Sequence, residues 1–298
     1  MKNILITGAT GFIGKHFIKR LLELGGYNIV ALVRPSSNLS VINDYLDNIT
    51  IHHYKDDYES IESLFQQTSL DYVFHFAALS KYDYKAVEIS SMLNSNITFG
   101  TFLLEAMKQY NCPYFINTST YWQHYKNHNY QPICLYAATK AAFENIIDYY
   151  CIDGKIKAIS LKLYDVYGYD DHRGKLLNIL MNQQAQDQEL NLTEGEQKLY
   201  MVFIDDVVNA YLVAAKLITN IQQSHAIYNV YGNEKHSLKE IVGILEKNMS
   251  KKFNINWGAK EYHQFQIMDP YIGPKLDSWE AKTPLQEGIK IILNKDRL

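Results

Sequence analysis

Directly after its first strand-like run, Lys2-Asn3-Ile4-Leu5-Ile6-Thr7, the chain carries Gly8-Ala9-Thr10-Gly11-Phe12-Ile13-Gly14, three glycines at G-x-x-G-x-x-G spacing ahead of a helix-period segment. No other feature restricts the fold as much. Glycine allows a tight turn and a close approach of the backbone to a charged group. The helix that follows presents unpaired N–H groups and the positive end of its dipole, so the loop suits a pyrophosphate. Gly8, Thr10, Gly11, Phe12, Ile13 and Gly14 are therefore candidate dinucleotide-binding residues.

Downstream, short apolar runs alternate with helical periodicity. Strands are expected at Ile4–Thr7, Ile29–Val33, Ile49–Tyr54, Tyr72–Phe76, Tyr114–Asn117 and Ile156–Leu163, and helices at Phe12–Leu24, Ile61–Gln67, Ile97–Tyr110 and Tyr136–Tyr150. Strand–helix alternation of this kind implies a parallel sheet covered on both faces. The expected fold class is α/β: a Rossmann-type doubly wound parallel sheet over 1–167, then a smaller C-terminal substrate-binding lobe over 168–298. Elements at about 203–218 are expected to return to the first domain. In the second half, helices are expected near Leu176–Gln186, Asp205–Leu217 and Leu238–Lys247, with a strand at Ala226–Val230.

Composition excludes several classes of function. A net charge of −3 without long runs of one sign offers no basic face to nucleic acid. Three cysteines, Cys112, Cys134 and Cys151, lack metal-ligand spacing and are odd in number, so neither a zinc site nor a disulfide framework is expected. The chain shows no signal segment and no apolar run long enough to enter a membrane, so a soluble cytoplasmic protein is expected.

Tyr136-Ala137-Ala138-Thr139-Lys140 puts a phenol and an ammonium at i and i+4, on one face of the fourth expected helix. Reduction of a carbonyl requires a proton on oxygen as hydride reaches carbon. A nearby ammonium and the positive ring of the cofactor are expected together to lower the tyrosine toward neutrality and make it an acid–base group. At the end of the second expected strand, Arg34-Pro35-Ser36-Ser37 has no carboxylate for ribose hydroxyls. Arg34, Ser36 and Ser37 offer donors to a 2′-phosphate instead, which favours NADP(H).

The TGATGFIG loop and the Tyr136/Lys140 pair resemble the extended short-chain dehydrogenase/reductases, most of which process nucleotide-activated sugars. The resemblance runs nearly the whole chain. It implies that Thr120, in Phe115-Ile116-Asn117-Thr118-Ser119-Thr120, shares the substrate oxygen with Tyr136, Ser119 being the neighbouring alternative. It also implies that Asp56 or Asp57 meets the adenine, that Phe76, Ala77 and Ala78 lie beneath the adenosine, that Asn96 shapes the active site, and that Tyr164 and Val166 lie beside the nicotinamide. Ser80, Tyr121, Asp165, Arg173 and Lys198 are the implied substrate contacts, although relatives usually have Asn at position 165 and an Arg–Asp pair at Leu199-Tyr200.

The Asp–Glu pair of the sugar dehydratases is replaced by Tyr121-Trp122, which argues against dehydration. The nearest resemblance is to nucleotide-sugar 4-ketoreductases, on chain size and on the stretches 115–121 and 203–212. The expected reaction is NADPH-dependent reduction of the C4 ketone of a CDP- or dTDP-linked 4-keto-6-deoxyhexose, with no metal, in a homodimer joined through the helices near 97–110 and 136–150. An NAD-dependent 4-epimerase and a non-enzymatic NADP sensor are the alternatives.

Overall fold

The computed structural model describes residues 1–185 and 189–295. In chain order its strands are β1 (Lys2–Thr7), β2 (Tyr27–Val33), β3 (Thr50–His53), β4 (Tyr72–His75), β5 (Tyr114–Thr120), β6 (Lys157–Leu163), β7 (Asp165–Tyr167), β8 (Leu190–Leu192), β9 (Lys198–Phe203), β10 (His225–Val230), β11 (Lys235–Ser237) and β12 (Ile255–Trp257). The α-helices are α1 (Phe12–Leu24), α2 (Tyr58–Gln67), α3 (Ile89–Leu93), α4 (Phe99–Gln109), α5 (Leu135–Cys151), α6 (Leu176–Ala185), α7 (Ile204–Leu217), α8 (Leu238–Met249) and α9 (Leu285–Lys295).

Seven strands form one parallel sheet in the order β10-β6-β5-β4-β1-β2-β3. Side chains alternate across a strand, so a sheet covered on both faces needs apolar residues at consecutive positions. On β1, Ile4 and Ile6 face one core with Phe17, Ile18 and Leu21 of α1 and Val207 and Tyr211 of α7. Leu5 faces the other core with Leu103 and Met107 of α4 and Phe143 and Ile147 of α5. These side chains are at most 1–2% exposed, and each contributes roughly 1.5–3 kcal/mol by leaving water. The α/β expectation and the parallel sheet hold. Smaller sheets, β11-β9-β7 and β12-β8, lie beyond it.

The helix expected at Ile97–Tyr110 is present as Phe99–Gln109 and continues toward the N-terminus. A π-helical turn at Asn94–Thr98 joins α3 to α4 and turns Asn96 inward. There Asn96 Oδ1 accepts from the Leu79 backbone N–H at 2.7 Å and its Nδ2 donates to Thr139 Oγ1 at 3.0 Å, tying the end of β4 to α5. Helical periodicity alone does not register a one-residue insertion.

The α4–α5 contact depends on Gly100. A Cβ there would stand 2.2 Å from Phe143 Cζ, inside a ring with no exposed surface. We expect Gly100→Ala to cost about 1–3 kcal/mol, as overpacking does, measured as a lower urea midpoint. An unchanged midpoint would show that Phe143 has room to move.

Candidate active site

Sheet order reverses between β1 and β4, and chain connections leave these strands on opposite faces, which opens a crevice at their carboxyl ends. Thr7 closes its floor: Thr7 Oγ1 is 2.9 Å from His75 Nδ1 and accepts from the Ala77 N–H at 3.2 Å. The glycine loop then passes over. Gly8 has φ +67°, and a Cβ on it would stand 2.7 Å from Ala77 N; one on Gly14 would stand 2.2 Å from Gly8 O. Only glycine fits either position.

Two adjoining cavities share Gly8, Gly11, Phe76 and Ala78. The larger, about 770 Å³, is lined by Thr10, Arg34, Ser36, Ser37, Asp56 and Ala77, and also by Tyr54, Asn94 and Phe99, which pattern reasoning did not reach. The Arg34–Ser37 turn is closed by Ser37 N–H to Arg34 O at 2.9 Å and Arg34 N–H to Ser37 Oγ at 3.1 Å. Asp56 and Asp57 separate here. Asp56 lines the cavity, in a left-handed conformation with φ +62°; Asp57 caps α2, accepting from the Ser60 N–H at 2.8 Å.

The second cavity is lined by Phe12, Ile13, Gly14, Ser80, Thr120, Tyr121, Tyr136, Tyr164, Asp165, Val166 and Arg173. Most candidates from well-separated parts of the chain thus meet in one crevice. Arg173 sits toward the glycine loop, its guanidinium 4.2 Å from the Phe12 ring centre and held by both oxygens of Asp171 at 2.7 and 2.8 Å. Lys198 does not join them. Strand alternation on β9 sends Leu199 and Met201 into the cavity wall and leaves Lys198 exposed outside it. Trp122, Lys175 and Asn178 also line the wall, and nothing in their spacing announced it.

Thr120 and Ser119, adjacent on β5, have different partners. Thr120 Oγ1 accepts the Trp122 N–H at 3.2 Å, which leaves its proton available to the cavity. Ser119 Oγ is engaged by Glu144 and Gln123. Tyr136 and Lys140 lie one turn apart on α5, both buried. Burial dominates and pushes the Tyr136 phenol up to about 12, a hydrogen bond with Ser80 opposing it only in part. Burial also pulls Lys140 down to about 8, with Glu144 acting the other way, and Lys140 Nζ has no hydrogen-bond partner among the described residues. A buried ammonium without a partner is costly unless a ligand supplies one.

The far wall is aromatic. Tyr121 stacks on Tyr164 at 4.3 Å and 7°, and its hydroxyl donates to Asp165 Oδ2 at 3.0 Å. Burial raises Asp165 to about 6, with the Tyr121 hydrogen bond opposing. Among the described residues no cluster of three or more His, Cys, Asp or Glu side chains is arranged to hold a metal, and no helix is long and apolar enough to cross a membrane.

A model of the NAD dependent epimerase/dehydratase family matches residues 4–230. CDP-abequose synthase of Salmonella muenchen is 28% identical over 298 residues, covering 98% of this chain and 97% of that one. The enzyme of the same name from Yersinia pseudotuberculosis is 29% identical over 297 residues, covering 98% and 99%. The structure of UDP-glucose 4-epimerase from Thermotoga maritima with UDP-glucose superposes with a TM-score of 0.87 at 23% identity, covering 99% of this chain and 98% of that one. That likeness is one of fold.

Asp165 carries a pH signature. Its carboxyl is raised in the folded chain, so ionising it opposes folding above about pH 6 and costs nothing below the ordinary carboxylate range near 4. Asp165→Asn keeps an acceptor for Tyr121, and we expect it to be more stable than the native protein by on the order of 2 kcal/mol at pH 7.5. Urea unfolding should show the gap shrinking as the pH falls below about 6 and closing by about pH 3.5; a gap independent of pH would exclude the carboxyl as its source.

Proposed function

Since the chain belongs to the NAD dependent epimerase/dehydratase family, we propose that it is an NADPH-dependent reductase of the C4 ketone of a nucleotide-linked 4-keto-6-deoxyhexose, the nucleotide being CDP or dTDP. The observation that carries the reading is the convergence of Thr120 and Tyr136 on one cavity, beside the buried, unpartnered Lys140. Full-length likeness to proteins named CDP-abequose synthase supports the substrate class. Tyr121 and Trp122, standing where the sugar dehydratases have an acid pair, support simple reduction.

The crevice fits a dinucleotide. Gly8, Thr10, Gly11, Phe12, Ile13 and Gly14 would cradle its pyrophosphate, with Arg34, Ser36 and Ser37 at the 2′-phosphate and Asp56 at the adenine. Phe76, Ala77 and Ala78 would floor the adenosine half, Tyr164 and Val166 would flank the nicotinamide, and the orphaned Lys140 ammonium would take the ribose hydroxyls. NADPH, when bound, supplies a hydride.

The protein's own residues manage the proton. A phenol near 12 is fully protonated at neutral pH, so Tyr136 is a donor to O4. Thr120 donates to the same oxygen and positions it. The phenolate left behind is stabilised by the Lys140 ammonium, whose field is strong in a dry site. Ser80, which lines the same cavity as Tyr136, and Asp165 with Tyr121 would meet the sugar. A cytoplasmic homodimer joined through α4 and α5 belongs to the same reading, with Tyr149 and Ile152 exposed at the end of α5.

Two measurements test this. NADPH oxidation, followed at 340 nm over CDP- and dTDP-4-keto-6-deoxyhexoses, should proceed and fall by ~10²–10⁴ in Tyr136→Phe. Idle NADPH together with NAD that copurifies would point to a 4-epimerase instead. Arg34→Ala should raise the KM for NADPH by roughly 10–100-fold, the worth of a charge-assisted phosphate contact, and leave that for NADH near its native value. Equal effects on both cofactors would remove the argument for a 2′-phosphate.

A further inference from the structure

We propose that Glu144 is a positioning residue of the active site, holding Lys140 as an ammonium and fixing the strand end that carries Thr120. This rests on the catalytic reading of Tyr136, Lys140 and Thr120 given above.

Tyr136, Lys140 and Glu144 follow one another at four-residue intervals on α5, so all three lie along one face of the helix. Glu144 is 6% exposed. A carboxylate taken that far from water is retained only where partners surround it. Oε1 accepts a short hydrogen bond from Ser119 Oγ and another from Gln123 Nε2 at 3.2 Å; Gln123 Nε2 also reaches Ser119 Oγ at 2.9 Å. Oε2 is 3.6 Å from Lys162 Nζ.

Ser119 and Lys162 are direct partners across the β5–β6 ladder. Side chains of laterally paired residues project from the same face, and here both reach Glu144. The network therefore bolts the carboxyl end of β5, one residue before Thr120, onto the helix that bears Tyr136 and Lys140. It is also directional. Lys162 Nζ lies 2.8 Å from His124 Nε2, and His124 Nδ1 lies 3.1 Å from the His128 carbonyl, so the ring sits as the neutral tautomer with Nδ1 protonated. Burial, then the Lys162 charge, keep His124 in that neutral form.

The titratable groups that interact with Lys140 are Glu144 on its own helix, one turn on, and His75 from the end of β4, which burial keeps neutral. The groups facing Glu144 are Ser119 from β5, Gln123 and His124 from the turn after it, and Lys162 from β6. Glu144 is thus the negative charge that acts on Lys140. It opposes a burial that already brings the ammonium down to about 8, within reach of neutral pH. Without Glu144 nothing offsets that burial, so the titration of Lys140 moves further down and the counter-charge to a Tyr136 phenolate weakens.

The test is the titration of Lys140, read by NMR of the protein carrying [ε-¹³C]lysine, with the signal assigned through Lys140→Arg. This readout needs no substrate, so it stands even where the reductase assay is silent, and the two readings fail separately. Glu144→Gln should move the Lys140 midpoint down by at least about one pH unit. In an active enzyme it should carry the alkaline limb of the kcat–pH profile with it, the KM for the sugar changing less than about threefold. Because this variant strands the Lys162 charge, Glu144→Gln/Lys162→Met removes both members and should show the same downward movement, while Lys162→Met alone leaves the midpoint in place. Ser119→Ala should lower kcat with no movement of the limb, and Glu144→Asp should restore both. A Lys140 midpoint that stays within about 0.3 of native in the folded double variant overturns the proposal. So does failure of both Gln variants to fold, which would make Glu144 a purely structural residue.

Discussion

The structure depends on the parting of β1 from β4. Neighbouring strands run parallel, their connections cross on opposite faces, and the gap between those connections lets main-chain groups at strand ends face open space. The glycine loop after β1 and the Phe76-Ala77-Ala78 floor after β4 border that gap, and the rest of the site spreads from it along the same strand ends: Arg34–Ser37 after β2 and Asp56 after β3 on one side, Thr120 ending β5 and the strand-and-turn after β6 on the other. Thr7 secures the gap by bonding His75 and Ala77 across it. Apolar packing on both faces makes the frame rigid enough for such groups to keep their places.

Burial does a second job near the gap. It presses Tyr136 up and Lys140 down, moving each toward its neutral form in the protein alone. The same dryness that disfavours the charged forms magnifies any interaction between them once a proton moves. A carboxyl at Asp165 close to its own titration and a neutral His75 belong to the same pattern, in which charge is scarce and each remaining charge acts over a longer reach.

Much of this was legible in the residues. The glycine spacing marks the loop because missing side chains leave an unmistakable pattern. Continuous apolar runs mark β1, β2 and β4–β6, and α1 begins and ends where its periodicity does. The short strands β7, β8, β11 and β12, three residues each, exist through pairing with distant partners and leave no local trace. Asp56 and Asp57 are indistinguishable in sequence because what separates them is backbone conformation, the left-handed φ of one and the capping geometry of the other. The burial that raises Tyr136 in the protein alone is not visible in the spacing, because desolvation depends on the whole fold. Lys198 was misplaced by a β-strand parity that only the register of β9 reveals. Glu144 was within reach, since its interval from Lys140 repeats the interval from Tyr136, but an acidic residue on a helix reads as solvated until its burial is known.

The glycine loop has a consequence for how such a chain varies over time. Its contacts are made by peptide groups, which every residue possesses, and its shape is maintained by the absence of carbon at Gly8 and Gly14. The side chains at the intervening positions answer to packing on α1 and to the cavity walls, with no part in the fold of the turn. Mutation is thus tolerated unevenly: a few positions admit one residue, and their neighbours drift with the ligand. A lineage can exchange one substrate for another by altering the walls while the turn beneath remains as it was.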